Sequence, residues 1–166
     1  MKDLYRETVH KMVRANLLHR YRISTALSGL NIYRGQPEIL GFLLENGECA
    51  QKTLAETTGV SAASIATSIK RMCKAGFVER TVDEADRRIN RIRITQKGKE
   101  AFLAGREECN KVDARMFSGI SDEEIKKFSE ILIKITENLS EDGISEKDVF
   151  DYIAKEDDRK RDDKNV

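Results

Sequence analysis

The chain has 166 residues and a net charge of +1, with 36% charged and 39% hydrophobic side chains. That length suits one domain, and no apolar run approaches the ~18 residues a membrane span needs. The first thirty residues scatter Lys2, Arg6, Lys11, Arg14, Arg20 and Arg22 among apolar positions, unlike a signal peptide, and three widely spaced cysteines (Cys49, Cys73, Cys109) argue against a disulfide framework or a zinc site and for a reducing cytoplasm.

The near-zero total conceals an uneven distribution. Residues 50–97 hold ten basic and five acidic side chains, whereas residues 141–166 hold six and ten. A local basic footprint of this kind is what a polyanionic partner requires.

In chain order, Tyr5, Val9, Val13, Leu17 and Tyr21 step by four, which predicts one long helix before Gly29. Its apolar positions outnumber what one small domain can cover. Pro37 and Glu38 in "GQPEILGFLLENG" suit a first helical turn, with Ile39, Leu40, Leu43 and Leu44 as the buried face and Gly47 as a left-handed stop. A short helix over 50–57 burying Leu54 and Ala55 follows, then a tight turn at Gly59 with Val60 closing the corner. Ser61 is a good N-cap for the next helix, Ile65, Ile69 and Met72 form its core stripe, and Gly76 ends it. The opposite face shows Ala63, Ser64, Thr67, Ser68, Lys70, Arg71 and Lys74. Small polar residues followed by basic ones suit a helix entering a major groove, where hydroxyls reach base edges or phosphates and cations pair with phosphates.

A strand over 77–81 and the alternation of Ile92 and Ile94 with Arg91 and Arg93 predict a hairpin directly after this helix-turn-helix. The whole is a winged helix. Arginines at its tip suit the narrow, electronegative minor groove of A·T-rich DNA, with Asp86 pairing an arginine to order the loop. The bland alternative is a solvated turn whose charges only aid solubility. Thr95 caps a helix running through Leu103, Val112 and Phe117, and Ser121 with Glu124 forms a capping box for another. There Ile125, Phe128, Leu132, Ile135 and Leu139 alternate steps of three and four, as a packed seam does, although an internal core helix would show the same pattern. Beyond Gly143 an acidic segment reads as one short helix from Ser145 that then frays.

The ordered set "GQPEIL", "LAETTGVSAASI", "AGFVER", "DEADRR" and "RITQKG" resembles the MarR family of bacterial and archaeal transcriptional regulators over Tyr5 to Leu139. The resemblance implies a mainly α fold with a small β-hairpin wing. Residues 1–34 and 98–142 would form an interlocked dimerisation region, residues 35–97 the winged helix-turn-helix, and residues 143–166 an extension beyond the family's usual end. It implies a homodimer on double-stranded DNA at a pseudo-palindromic operator, with Ser61–Lys74 as recognition helix and Arg87, Arg88 and Arg91 as wing contacts. Thr67 stands where many members have a basic or larger polar residue. The family's usual effector, an aromatic or phenolic acid, would bind where dimer helices meet the winged helix, and Tyr33 falls at that junction.

No enzyme, cofactor or metal is expected. His10 and His19 do not converge on one helix face, Gly29, Gly35 and Gly41 do not form a phosphate loop, and no carboxylate pair stands out. Two alternatives stay open. One is a winged helix used only for protein–protein contact. The other is a cysteine redox sensor, in which Lys70, Arg71 and Lys74 would stabilise a Cys73 thiolate.

Overall fold

The computed structural model describes residues 2–33, 35–58, 60–83, 86, 89–140, 143–144, 148–149 and 152. Helix α1 spans Lys2–Ser28 and α2 Gln36–Asn46, strand β1 is Cys49–Ala50, and α3 (Gln51–Thr58) and α4 (Ala62–Ala75) follow. Strands β2 (Val78–Val82) and β3 (Asn90–Ile94) lead into the long helices α5 (Gln96–Met116) and α6 (Asp122–Leu139).

Local chemistry sets most of these boundaries. The turn after α1 places Asn31 at φ 57, a left-handed conformation that asparagine tolerates, and the Ile32 N–H returns to the Leu27 carbonyl at 3.0 Å. Gln36 is buried because its Oε1 accepts from the Tyr33 N–H at 2.9 Å. Ser61 Oγ caps α4 by accepting from the Ser64 N–H, and Gly76 closes it at φ 77, its own N–H reaching carbonyls of the last turn. The capping box of α6 is complete: Ser121 Oγ accepts from the Glu124 N–H, and Glu124 Oε2 accepts from both the N–H and the hydroxyl of Ser121.

The core is that of a winged helix. Leu54 from α3, Ile65, Ile69 and Met72 from α4, and Phe77, Val78, Ile92 and Ile94 from the sheet are buried against Ile39, Leu40 and Leu43 of α2. Leu27 and Ile32 join it from the end of α1.

Three expectations need correcting. The sheet has three antiparallel strands in the order β1-β3-β2, not a lone hairpin. Cys49 and Ala50 pair with Ile92 and Arg91, and a strand of two residues leaves no periodicity to read. Because Ala50 belongs to that strand, α3 starts at Gln51. Leu44 is 38% exposed, not buried, because the packed face of α2 is completed by Ile39, Leu40 and Leu43 and the next residue turns off it. The turn at Gly59 and the helix from Ser145 lie outside the described residues.

Where α5 leaves the sheet, the chain is tied closely to the end of α4. Thr95 Oγ1 accepts from the Gly98 N–H at 3.0 Å and donates toward the Gly76 and Phe77 carbonyls. Lys97 Nζ donates to the Ala75 carbonyl at 2.7 Å and lies over the Phe77 ring. Gly98 is required here: a Cβ would fall 2.0 Å from the Phe77 carbonyl oxygen.

The long helices behave differently. α6 buries none of its residues, and along α1 Tyr5, Val9, Val13, Leu17 and Tyr21 are all more than half exposed. Helix α1 is held along α5, most firmly toward its C-terminal end, through Ile23, Leu27 and His19, whose Nε2 lies 2.8 Å from Asp113 Oδ1 on α5.

Candidate nucleic-acid interface

Helix α4 presents a continuous exposed stripe. Ala63, Thr67, Lys70, Arg71 and Lys74 recur at helical steps of three and four, directly opposite the buried Ile65, Ile69 and Met72. Ser61, Ser64 and Ser68 are half-buried on the flank of this stripe, so the outward face is smaller than the sequence suggested. Thr67 Oγ1 donates to the Ala63 carbonyl at 3.0 Å, which leaves its lone pairs as acceptors for a donor from outside. Lys74 sits in the last turn, where a cation also complements the helix dipole.

The hairpin sorts its charged residues by strand parity. Register pairs Val78 with Ile94, Arg80 with Ile92 and Val82 with Asn90, so these six share the face that packs toward α4. Arg80 and Val82 emerge beyond the core, and Arg80 Nε donates to Asn90 Oδ1 at 2.9 Å. It lines an open groove of about 610 Å³ between α4 and β2, together with Ala66, Ile69, Lys70, Cys73, Val78 and Glu79. The other face carries Glu79, Thr81, Arg91 and Arg93. Arg93 donates to Glu79 at 2.8 Å directly across the ladder.

Asp83 escaped the sequence reading. It is buried to 9% exposure at the end of β2, Oδ1 accepts from the Asp86 N–H at 3.0 Å, and Oδ2 pairs with Arg91 Nε. Glu48 Oε1 stands 3.9 Å from the same Arg91 nitrogen. The hydrogen bond to Asp83, then its charge, holds the Arg91 guanidinium firmly protonated. Asp86 contributes backbone as well, its carbonyl accepting from the Ile89 N–H at 2.9 Å. Arg87 and Arg88 lie outside the described residues.

The redox alternative loses its physical basis. Burial pushes the Cys73 thiol up, opposed only by Arg80 and not by the lysines of α4. Burial likewise raises Cys49 and Cys109, each helped by neighbouring carboxylates. Among the described residues no group of three His, Cys, Asp or Glu side chains could hold a metal ion, and no helix is long and apolar enough to cross a membrane.

A second, partly open cavity of about 170 Å³ lies where α1, α2 and α5 meet. Leu27, Ile32, Pro37, Leu40, Phe102 and Arg106 are among its walls, and Tyr33, half-exposed on the turn nearby, is not.

A helix-turn-helix with an exposed small-to-basic stripe, followed by a three-stranded wing sheet, defines a winged-helix DNA-binding regulator. Residues 28–89 match the model of the MarR family. The chain is 29% identical over 126 residues to YybA, an HTH-type transcriptional regulator of Bacillus subtilis, covering 76% of this chain and 79% of that protein. Its fold superimposes on the crystal structure of YusO, also from Bacillus subtilis, with a TM-score of 0.71 at 18% identity, over 82% of this chain and 98% of the other. The organohalide-sensing regulator RdhR, solved with 2,4-dichlorophenol bound, gives a TM-score of 0.65 at 25% identity over 82% of this chain and 81% of that one. These likenesses make the chain similar to MarR-family transcriptional regulators, most specifically over residues 28–89.

Proposed function

We propose that this regulator is a cytoplasmic homodimer that represses transcription from a pseudo-palindromic operator and releases it on binding a small aromatic or phenolic molecule. The observation that carries the DNA-reading part is the α4 stripe. Ala63 and Thr67 near the N-terminus allow close approach to base edges, while Lys70, Arg71 and Lys74 follow at the spacing of backbone phosphates. In this reading residues 35–97 bind DNA, with the wing around Arg87 and Arg88 reaching the adjacent minor groove. Residues 1–34 and 98–142 join two copies, since the exposed apolar faces of α1 and α6 are too large for a free surface. The excess of acidic side chains over residues 143–166 would be repelled by DNA.

The cavity at the junction of α1, α2 and α5 is apolar and sized for one substituted ring. The ligand seen in RdhR supports that class of effector.

The test begins with a duplex selected from a random pool by the wild-type protein. Ser64→Ala and Thr67→Ala should each weaken binding to the selected duplex by ~1–3 kcal/mol while leaving an unrelated duplex nearly unaffected. Equal losses on both duplexes would show that α4 positions the backbone without reading sequence.

A further inference from the structure

The sequence groups Arg91 with the DNA-contacting arginines of the wing and gives Arg80 no role. The sheet separates the two. Arg80 shares its face with Val78 and Ile92, the face packed toward α4, whereas Arg91 lies on the opposite face with Arg93. Their partners differ too. Arg80 is steadied through Nε by Asn90, a neutral amide that leaves the guanidinium charge uncompensated and its two outer nitrogens free to donate. Arg91 is held by Asp83 with Glu48 beyond it, and Arg93 by Glu79, so both of those charges are already compensated. Glu79 also lines the groove that Arg80 shares with Lys70, but its Oε2 is engaged by Arg93. That groove runs beside the exposed stripe of α4, and among the described residues its two cations, Lys70 and Arg80, form no salt bridge.

We propose that Arg80, together with Lys70, grips a DNA backbone phosphate between recognition helix and wing, and that Arg91 is a positioning residue that latches the wing base to Asp83. The proposal rests on the reading of α4 as the DNA-facing helix. Arg80 is placed for this because a guanidinium fixed at Nε still offers a planar pair of donors, the geometry that suits two phosphate oxygens. Asp83 acts at a distance from the DNA. Its two oxygens join the end of β2, the backbone of Asp86 and the side chain of Arg91, so the loop that carries the wing arginines enters the complex with less freedom to lose.

The two roles leave different signatures in salt titrations of the full-length protein, using the selected duplex and an unrelated duplex of equal length. Over roughly 50–200 mM salt, Arg80→Gln should weaken both duplexes by about tenfold. It should also flatten the slope of log K against log salt by about 1.8, from ~0.9 for each phosphate and one phosphate per subunit. Arg80→Lys should restore most of the slope. Arg91→Gln and Asp83→Asn should weaken the selected duplex by similar factors with the slope unchanged, and the double variant should be no weaker than either single one. Circular dichroism and thermal unfolding of each variant separate loss of binding from loss of fold. An unchanged slope in Arg80→Gln, a flatter slope in Arg91→Gln, or tighter binding by Asp83→Asn would each overturn the assignment. A wild-type protein that selects no duplex and shows no salt-dependent affinity would instead remove the underlying reading of α4.

Discussion

Leu54 on α3 and Phe128 on α6 are both large apolar side chains on amphipathic helices, yet Leu54 is fully buried and Phe128 is 42% exposed. The same holds for the two regions they belong to. The winged helix closes its own core from α2, α3, α4 and the sheet, whereas α6 makes at most marginal contact with any other described element and α1 packs chiefly along α5. The strong amphipathic pattern of α6 therefore encodes an apolar surface left uncovered within one chain, the one that the proposed dimer would bury, and the equally strong pattern of α4 encodes a core contact plus a free face. Periodicity reports that a helix has an apolar side; only the count of other elements near it says whether that side belongs inside one chain.

The contrast can be broken most severely on the arm side. Phe128→Asp puts a charge into the seam of α6, and light scattering should then give 18.9 kDa in place of the twice 18.9 kDa expected of the wild type. Operator binding should fall by roughly 10²–10⁴-fold, because two linked half-site contacts become one. A wild-type monomer would end this account of the arms. On the winged-helix side, Leu54→Ala should cost about 2–5 kcal/mol in denaturant unfolding, by lost burial and a cavity that the surrounding core cannot fill. Its shift should be the same at every protein concentration, unlike that of Phe128→Asp.

Ser61→Ala sharpens the comparison at smaller scale. It removes the cap of α4 and should lower stability by about 1 kcal/mol, with helix content otherwise retained in circular dichroism. The smallest effect is the pH dependence from the thiols. Burial holds Cys49, Cys73 and Cys109 protonated above the usual thiol range. The unfolded chain therefore ionises first as pH rises, so the stability contribution present at neutral pH is lost above roughly pH 8.5. Thermal unfolding of wild type against Cys→Ser variants measures it, and a wild type that gains stability relative to the variants above that pH would contradict the sign.

Much of the fold was legible because its signals are local. Ser61, Gly76, Thr95 and the Ser121–Glu124 box announce helix ends through hydrogen bonds within a turn of sequence. Ile65, Ile69 and Met72 declare a face by spacing alone. The exposed stripe of α4 followed directly from these. What stayed hidden depends on register between segments. Strand β1 exists only because Cys49 and Ala50 find β3, and Asp83 is interesting only once the ladder sets it diagonally from Arg91. The parity that puts Arg80 with Val78 and Ile92 could have been read from the hairpin, had its turn length been assumed symmetric about the tip.

The knot of bonds at Thr95, Lys97 and Gly98 has a mechanical consequence. It welds the first turn of α5 to the last turn of α4, with a glycine seated on the Phe77 carbonyl where no side chain could act as a cushion. Helix α5 runs on from Gly98 to Met116, an arm of about 27 Å at ~1.5 Å per residue. A tilt of about 5° along such an arm displaces its far end by roughly 2.4 Å, a little under half the ~5.4 Å pitch of a helix. Were two copies joined through such arms, the distance between their recognition helices would be tuned by angle rather than by length, and a molecule seated beside Phe102 would press on the arm close to its pivot.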